Sequence, residues 1–431
     1  VKNALLNMVL TPKGYKPRLI DEQISQMLKV MGAIYIEGPK WCGKTWTAEN
    51  HSNSEYKMTE REGPVSNKQL AEMDPRRALK GEIPHLIDEW NDVPAVWDLV
   101  RNEVDKDNTK GKFILTGSSV PRRNEYDHSG TGRIGPVQMR TMSLYETGDS
   151  DGSISLKGLF DKGQDMTECG DVVLEDLIAL TVRGGWPAVS DLKGTDTSYV
   201  PKTYLKFAID DASTLDGKKR NREKMKMLVR SLARNESTTV SNATLMRDMK
   251  VSDEENIAQE TFADYMDCLD RIHLLDDVPN FRPNIRSEMR IGKAPKRHLA
   301  DPSLAIAALK LTPKKLENDL KTFGFMFEAL CEHDLRIYAE SLGWNMYHYR
   351  DYNDREIDAV VETDDGRWGA FEIKLGPGQV DEAAKNLLKI KDLFEKEGHP
   401  PSILCVICGL TSFAYTRPDG VMVVPVTSLG P

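Results

Sequence analysis

Eight consecutive residues, Gly38-Pro39-Lys40-Trp41-Cys42-Gly43-Lys44-Thr45, place two glycines, a lysine and a hydroxyl at the spacing of a phosphate-cradling loop. The glycines let successive backbone N–H groups turn towards one anion, and a helix opening at Lys44 adds the positive end of its dipole. Lys44 is placed to reach the β- and γ-phosphates of ATP, and Thr45 to offer its hydroxyl to Mg²⁺. Further on, an apolar run ends in two carboxylates, Asp88-Glu89. Asp88 suits the metal, and Glu89 can polarise an attacking water. Alone, the pair would merely end a strand in solvent; together with the loop it predicts ATP hydrolysis. A third apolar stretch delivers Thr116-Gly117-Ser118-Ser119. Ser118 there either senses the γ-phosphate or caps a turn. A cation for the transition-state charge is expected at Arg133, acting in its own subunit or a neighbouring one, with Arg122, Arg123 and Arg140 also close in sequence.

A second set of chemistry-bearing residues lies near the C terminus. Glu328 sits within the apolar run Phe325-Met326-Phe327-Glu328-Ala329-Leu330, a costly place for a carboxylate unless paired or metal-bound. Asp358 lies in one expected strand, and Glu372 and Lys374 lie two apart in another. Residues two apart in a strand share a face, so Glu372 and Lys374 project together and Asp358 can join them from a neighbouring strand. Two such carboxylates form a hard-oxygen site for Mg²⁺ or Mn²⁺, and the lysine can orient a water and steady charge on a scissile phosphate. The plainer alternative is a half-buried strand whose polar face makes surface ion pairs of little energetic value.

The elements that position these groups can be read coarsely. Pro17–Met31 has helical apolar spacing, and Ala33–Glu37, the strand ending at Asp88 and Phe113–Thr116 alternate with helices over Lys44–Glu49 and Pro94–Asp105. That alternation predicts an α/β fold with a parallel sheet. Residues 148–170, rich in Gly, Ser and Asp, read as a surface connection, and Asp171–Val182 as a helix ended by Gly184-Gly185-Trp186-Pro187. Three short amphipathic helices follow at Met225–Leu232, Asn242–Met249 and Ala258–Leu269. From about 318 the pattern becomes one helix, several strands, a helix and two strands. The expected domains are 1–200, 201–310 and 311–431.

The chain has 431 residues and a net charge of −9, with no apolar run of membrane-spanning length, so a cytoplasmic protein without membrane partners is expected. Residues 217–300 stand apart, with 17 Lys/Arg against 13 Asp/Glu. Lys218, Lys219, Arg220, Arg222, Lys224 and Lys226 open this region, and Arg282, Arg286, Arg290, Lys293, Lys296 and Arg297 close it. Such clusters suit DNA phosphates, or else solvate a helix and pair with acidic neighbours. Cys405 and Cys408 lie inside an apolar strand and read as reduced core thiols rather than half of a metal site.

With GPKWCGKT, LIDEW, ILTGSS, GRI and GGWP, the chain resembles bacterial and archaeal AAA-type P-loop ATPases that end in a nuclease-like domain. The order helix Glu328, strand Asp358, then Glu372-x-Lys374 resembles the PD-(D/E)xK nuclease superfamily, with Ile357 where the motif has proline. The resemblance implies an AAA-like core, a winged-helix middle and a restriction-endonuclease-like end, with Asp358, Glu372 and Lys374 as its centre and Glu328 auxiliary. Two functions follow as expectations: an ATPase controlling a metal-dependent nuclease on DNA, or an ATP-driven switch whose last domain binds a partner without cutting. Homo-oligomerisation enters as a candidate through the neighbouring-subunit role of Arg133.

Overall fold

The computed structural model describes residues 10–119, 129–192, 196–250, 257–282 and 294–431. It divides into two compact units, one reaching from the N terminus to Thr141 and including Leu269–His273, the other comprising Met142–Cys268 and Leu274–Pro431. The division does not fall at the boundaries read near 200 and 310.

The first unit is built on five parallel strands in the order Ser54–Lys57, His85–Asp88, Phe113–Gly117, Ala33–Glu37, Ile134–Gln138. Its central strands are buried along nearly their whole length, as expected for a parallel sheet with both faces covered. Period-two alternation sorts the side chains into two layers. Ala33, Tyr35, Ile87 and Leu115 pack with Trp90, Trp97 and Val100 on one face. Ile34, Ile36, Leu86 and Ile114 pack with Ile24 and Ala48 on the other. Trp90 and Trp97 lie 4.8 Å apart between ring centroids, and Tyr35 meets both edge-on at 5.7 and 5.9 Å. Because the strands are parallel and in register, with Glu37 beside Gly117 and Gln138, and Asp88 beside Thr116, their C-terminal ends share one sheet edge. The chain leaves that edge as the phosphate-loop motif, as Asp88-Glu89 and as Gly117-Ser118. The strands Ser54–Lys57 and Ile134–Gln138 were not anticipated.

The second unit holds a seven-stranded mixed sheet. Its order is Asn345–Arg350, Glu356–Glu362, Trp368–Lys374, Ile403–Cys408, Met422–Pro425, Phe413–Thr416, Thr167–Glu168. The Asp358 strand pairs antiparallel with the Glu372 strand, which pairs parallel with Ile403–Cys408. Helix Val380–Lys396 packs its apolar stripe (Ala383, Ala384, Leu387, Ile390, Phe394) against this sheet. The 22-residue helix Leu320–Ser341 is buried all round from Ala329 to Leu335 and on one side at either end. Residues 148–170 are not a mere connection: Ile154-Ser155 pair with Leu429-Gly430, and Thr167-Glu168 with Phe413-Ala414. Short strands of this kind carry too few residues to show an alternation in sequence. The expected middle helices appear as Arg222–Arg234, Asn242–Asp248 and Gln259–Arg271. Among the described residues no helix is long and apolar enough to cross a membrane. Cys405 and Cys408 are buried and free, and burial pushes both thiols up, Cys408 to about 11.

Candidate functional sites

In the first unit, the loop after Ala33–Glu37 takes the backbone conformations that a wrapped anion site needs. Gly38 and Gly43 have φ of 153° and 104°, and Trp41 has φ 65°. A Cβ added at Gly38 would lie 2.1 Å from the Met139 carbonyl oxygen, so only glycine fits there. Lys44 is buried and donates to the carbonyls of Gly38 and Pro39, each at 2.9 Å, curling over the loop that it is expected to share with a phosphate. Cys42 is buried, whereas Lys40 and Trp41 face solvent.

Thr45 Oγ1 donates to Asp88 Oδ1 at 3.0 Å, and Thr116 donates to the same oxygen. Thr45 and Asp88 therefore present a hydroxyl and a carboxylate side by side, a hard-oxygen pair that fits Mg²⁺. Glu89 begins the next turn in the left-handed region at φ 57°. Its Oε2 accepts from Ser118 N at 3.2 Å and Ser118 Oγ at 3.0 Å. Burial pushes the Glu89 carboxyl above the ordinary range, with Lys44 pulling it down and Asp88 pushing it up. Ser118 is thus brought to the site through Glu89.

Arg133 is not brought there. It directly precedes strand Ile134–Gln138, whose first residue lies beside Ala33, the first residue of its neighbour. In a parallel sheet that is the edge opposite the loop, about 16 Å away at ~3.3 Å per residue. Its guanidinium Nε lies 2.8 Å from Asp105, and Nη1 donates to the Thr131 carbonyl at 3.3 Å. Arg122 and Arg123 lie outside the described residues. Arg140 is buried just beyond Gln138, on the loop's edge of the sheet. The arginine that grips the loop, missed in sequence, is Arg18: Nη1 donates to the Cys42 carbonyl and Nη2 to the Arg140 carbonyl, both at 2.9 Å. Tyr15 and His51 add a brace through Asp21 at 2.8 and 2.9 Å, and Tyr15 also donates to Thr47 in the helix that the loop opens.

In the second unit, Lys374 links the two strand carboxylates. Its ammonium lies 3.0 Å from Asp358 Oδ2 and 2.7 Å from Glu372 Oε2. Asp358 Oδ2 also accepts from the Ile373 backbone N–H at 2.8 Å, and Glu372 Oε1 accepts from Asn386 at 2.5 Å. Burial, then the charge of Asp358, pushes Glu372 up to about 7. Burial works against the Lys374 ammonium, but Asp358 and Glu372 outweigh it and hold its pKa above the ordinary lysine range.

Glu328 does not join them as a third donor. It pairs with Lys296, whose fully buried ammonium also lies 2.8 Å from Glu332 and 3.2 Å from the Asp358 carbonyl. Among the described residues there is no group of three or more His, Cys, Asp or Glu arranged to hold a metal. Asp358 and Glu372 still offer two hard-oxygen donors suited to Mg²⁺ or Mn²⁺. Beyond Lys296 the buried network continues: Glu332 lies 3.2 Å from His298 Nε2, and His298 Nδ1 lies 3.1 Å from Glu236. Burial opposes the charge on Glu332, yet Lys296 and His298 hold it down to about 2.

Much of the described basic cluster is already paired. Arg220 lies 2.6 Å from Asp264, Arg222 2.6 Å from Asp210 and Lys226 2.7 Å from Glu223, while Arg297 pairs with Asp277. Arg286, Arg290 and Lys293 lie outside the described residues.

Three stretches match known families in turn. Residues 31–148 match an AAA domain, 174–315 a domain of unknown function (DUF8612) and 323–429 a domain of unknown function (DUF4143). Uncharacterized proteins of Mycobacterium bovis and Mycobacterium tuberculosis are each 24% identical over 347 residues, covering 79% of this chain and 70% of theirs. Among solved structures, a Walker-type ATPase of Pyrococcus abyssi is 12% identical with a TM-score of 0.41, covering 67% of this chain and 94% of its own. A RuvB variant of Thermotoga maritima is 16% identical with a TM-score of 0.26, covering 60% and 89%. The match over 31–148 coincides with the loop, the Asp88-Glu89 pair and the parallel sheet, and that stretch is an AAA-type P-loop ATPase domain, which supports binding and hydrolysis of ATP.

Proposed function

We propose that this protein is an Mg²⁺-dependent ATPase whose nucleotide cycle controls a PD-(D/E)xK-type nuclease domain acting on DNA. The observation that carries the nuclease half is Lys374, set 3.0 Å from Asp358 and 2.7 Å from Glu372 on adjacent antiparallel strands. In this reading Asp358 and Glu372 hold the divalent ion, which supplies Lewis acidity at the scissile phosphate. Lys374, kept charged by its two carboxylates, orients the water and steadies the developing negative charge. Glu328 stays with Lys296 and gives up the auxiliary role expected for it.

In the ATPase half, Lys44 exchanges the Gly38 and Pro39 carbonyls for phosphate oxygens. Thr45 and Asp88 hold Mg²⁺, and Glu89 aligns the water. A γ-phosphate would compete with Glu89 for the Ser118 hydroxyl, so Ser118 serves as the nucleotide sensor. Arg133, away from the loop of its own chain, acts from a neighbouring copy in a homo-oligomer.

A winged-helix reading of the middle segment is supported by its three helices. It is supported too by the antiparallel bridges that follow, Leu275 to Leu299 and Val278 to Lys296, with Thr238 added alongside Arg297. The same unit would present DNA to the last sheet. One observation favours the alternative, a switch that binds a partner without cutting: two carboxylates neutralised by Lys374 and a third by Lys296 leave the site short of donors.

The two readings separate in one experiment. Single-stranded, duplex and branched DNAs are incubated with Mg²⁺ or Mn²⁺, with and without ATP, using wild type and Asp358→Ala. Cleavage abolished by the substitution supports the nuclease; no cleavage of any form leaves the non-cutting switch.

A further inference from the structure

We infer that the cleft beside Lys374 receives an unpaired nucleotide of a single strand, its base against Phe325 and its phosphate towards Lys321 and Lys374. The inference rests on reading Asp358, Glu372 and Lys374 as a phosphodiester site. The cleft has a volume of about 570 Å³ and runs between helix Leu320–Ser341 and the end of strand Trp368–Lys374. Such a volume takes a drug-sized ligand, for which sites span roughly 300–1,000 Å³, and a duplex is far larger.

The lining argues in the same direction. Leu320, Gly324 and Glu328 lie four residues apart, with Lys321 and Phe325 beside them, so all five share a single helix face. Leu320 and Phe325 are 49% and 39% exposed, and Leu375 and Leu410 line the same cleft, so the apolar side chains are gathered on one wall. An apolar, partly aromatic wall stacks bases without regard to sequence, because every base has a π-face. Among the described residues two lysines line the cleft, against the roughly six to ten phosphate contacts that commonly grip a duplex backbone.

Gly324 supplies an independent argument. It lies inside a 22-residue helix, where glycine is a poorer choice than alanine, and a Cβ built on it would meet nothing within 4 Å. Gly376, across the cleft, is equally open. Packing among the described residues asks for neither glycine. Both leave room where a ligand would pass.

The test uses the 431-residue chain in EDTA, so that binding is read without cleavage, with fluorescence anisotropy of labelled oligo-dT, oligo-rU and a matched duplex. Single strands are expected to bind at least tenfold more tightly than duplex. Phe325→Ala and Gly324→Leu are each expected to weaken single-strand binding by roughly tenfold, a loss typical of one base–aromatic stack. Gly324→Leu should melt no lower than wild type, which separates a blocked cleft from a damaged fold, and ATP hydrolysis should be unchanged in both variants. Equal or tighter duplex binding, affinity insensitive to both substitutions, or no binding to any oligonucleotide would overturn the inference. Single-strand binding kept in a protein that cleaves nothing with Mg²⁺ or Mn²⁺ would sink the nuclease reading and leave the cleft assignment standing.

Discussion

Lys296 and Glu328 form an ion pair in which the lysine is fully buried and the carboxylate is the residue that the sequence offered to a metal. Glu332 shares the same ammonium at 2.8 Å. A buried charge stripped of its partner has nowhere to be solvated, and breaking such a pair typically costs about 3–5 kcal/mol. Lys296→Met should therefore lower unfolding free energy by about that amount in urea titrations, since Glu328 loses its counter-ion and Glu332 is left with His298 as its counter-ion. Adding Glu328→Gln should recover part of the loss. A single substitution that costs under about 1 kcal/mol, the scale of an exposed pair, would show that Lys296 is not holding these charges.

At the nucleotide site, Lys44→Ala should abolish hydrolysis, because the ammonium now on the Gly38 and Pro39 carbonyls has no substitute at the phosphates. Glu89→Gln keeps the shape and the hydrogen bond from Ser118 but removes the basic carboxylate. Its turnover should fall by about 10²- to 10⁴-fold, the usual contribution of a positioned general base. Affinity for a fluorescent ATP analogue should stay within a few-fold of wild type. Hydrolysis unchanged in Lys44→Ala would remove the loop from the chemistry altogether.

These contrasts track what a sequence can carry. The phosphate loop and Asp88-Glu89 were legible because their chemistry is local and each motif marks the end of its own strand. Asp358, Glu372 and Lys374 were legible through period-two alternation, which put two of them on one face. Arg133 was misplaced because its number is close to the site while its strand's direction is not: a residue before a parallel strand lies at the far edge. The strand it opens was missed because it is short and interrupted by Pro136. Arg18 left no trace because its partners are the backbone carbonyls of Cys42 and Arg140, which any residue type would provide. The Lys296–Glu332–His298–Glu236 network joins positions far apart in the chain, and no local pattern announces such a meeting.

The position of Arg133 yields a sharp kinetic expectation. Bound to Asp105 at the edge away from the loop, it cannot serve the site of its own chain without leaving that edge. At protein concentrations where only monomer is present, Arg133→Ala should hydrolyse ATP within about threefold of wild type, well short of the 10³–10⁵ carried by an arginine that touches the γ-phosphate. A loss that appears only as concentration rises, together with a larger species in sedimentation, would assign the residue to a neighbouring copy. A large loss in the monomer would mean that the arginine moves to its own site.

His298 gives the stability a defined dependence on pH. Its ring lies between Glu236 and Glu332, with Lys296 and His348 nearby. Burial opposes its positive charge, but Glu332 and Glu236 outweigh burial and push its pKa from 6.5 up to about 10. The folded protein thus holds a proton that the unfolded chain releases near 6.5. The resulting stabilisation is complete below that pH and fades as pH rises through about 10. Urea unfolding across this range should show the difference between wild type and His298→Gln constant on the acid side and shrinking steadily on the alkaline side. Titrations of groups away from the ring cancel in that difference, and the comparison is made above about pH 5. There, among the described residues, Glu236 and Glu332 are the carboxylates that the substitution touches. Should the variant fail to fold, the imidazole resonances of the wild type report the same quantity, and a ring that titrates near 6.5 would mean that the two glutamates do not hold it charged.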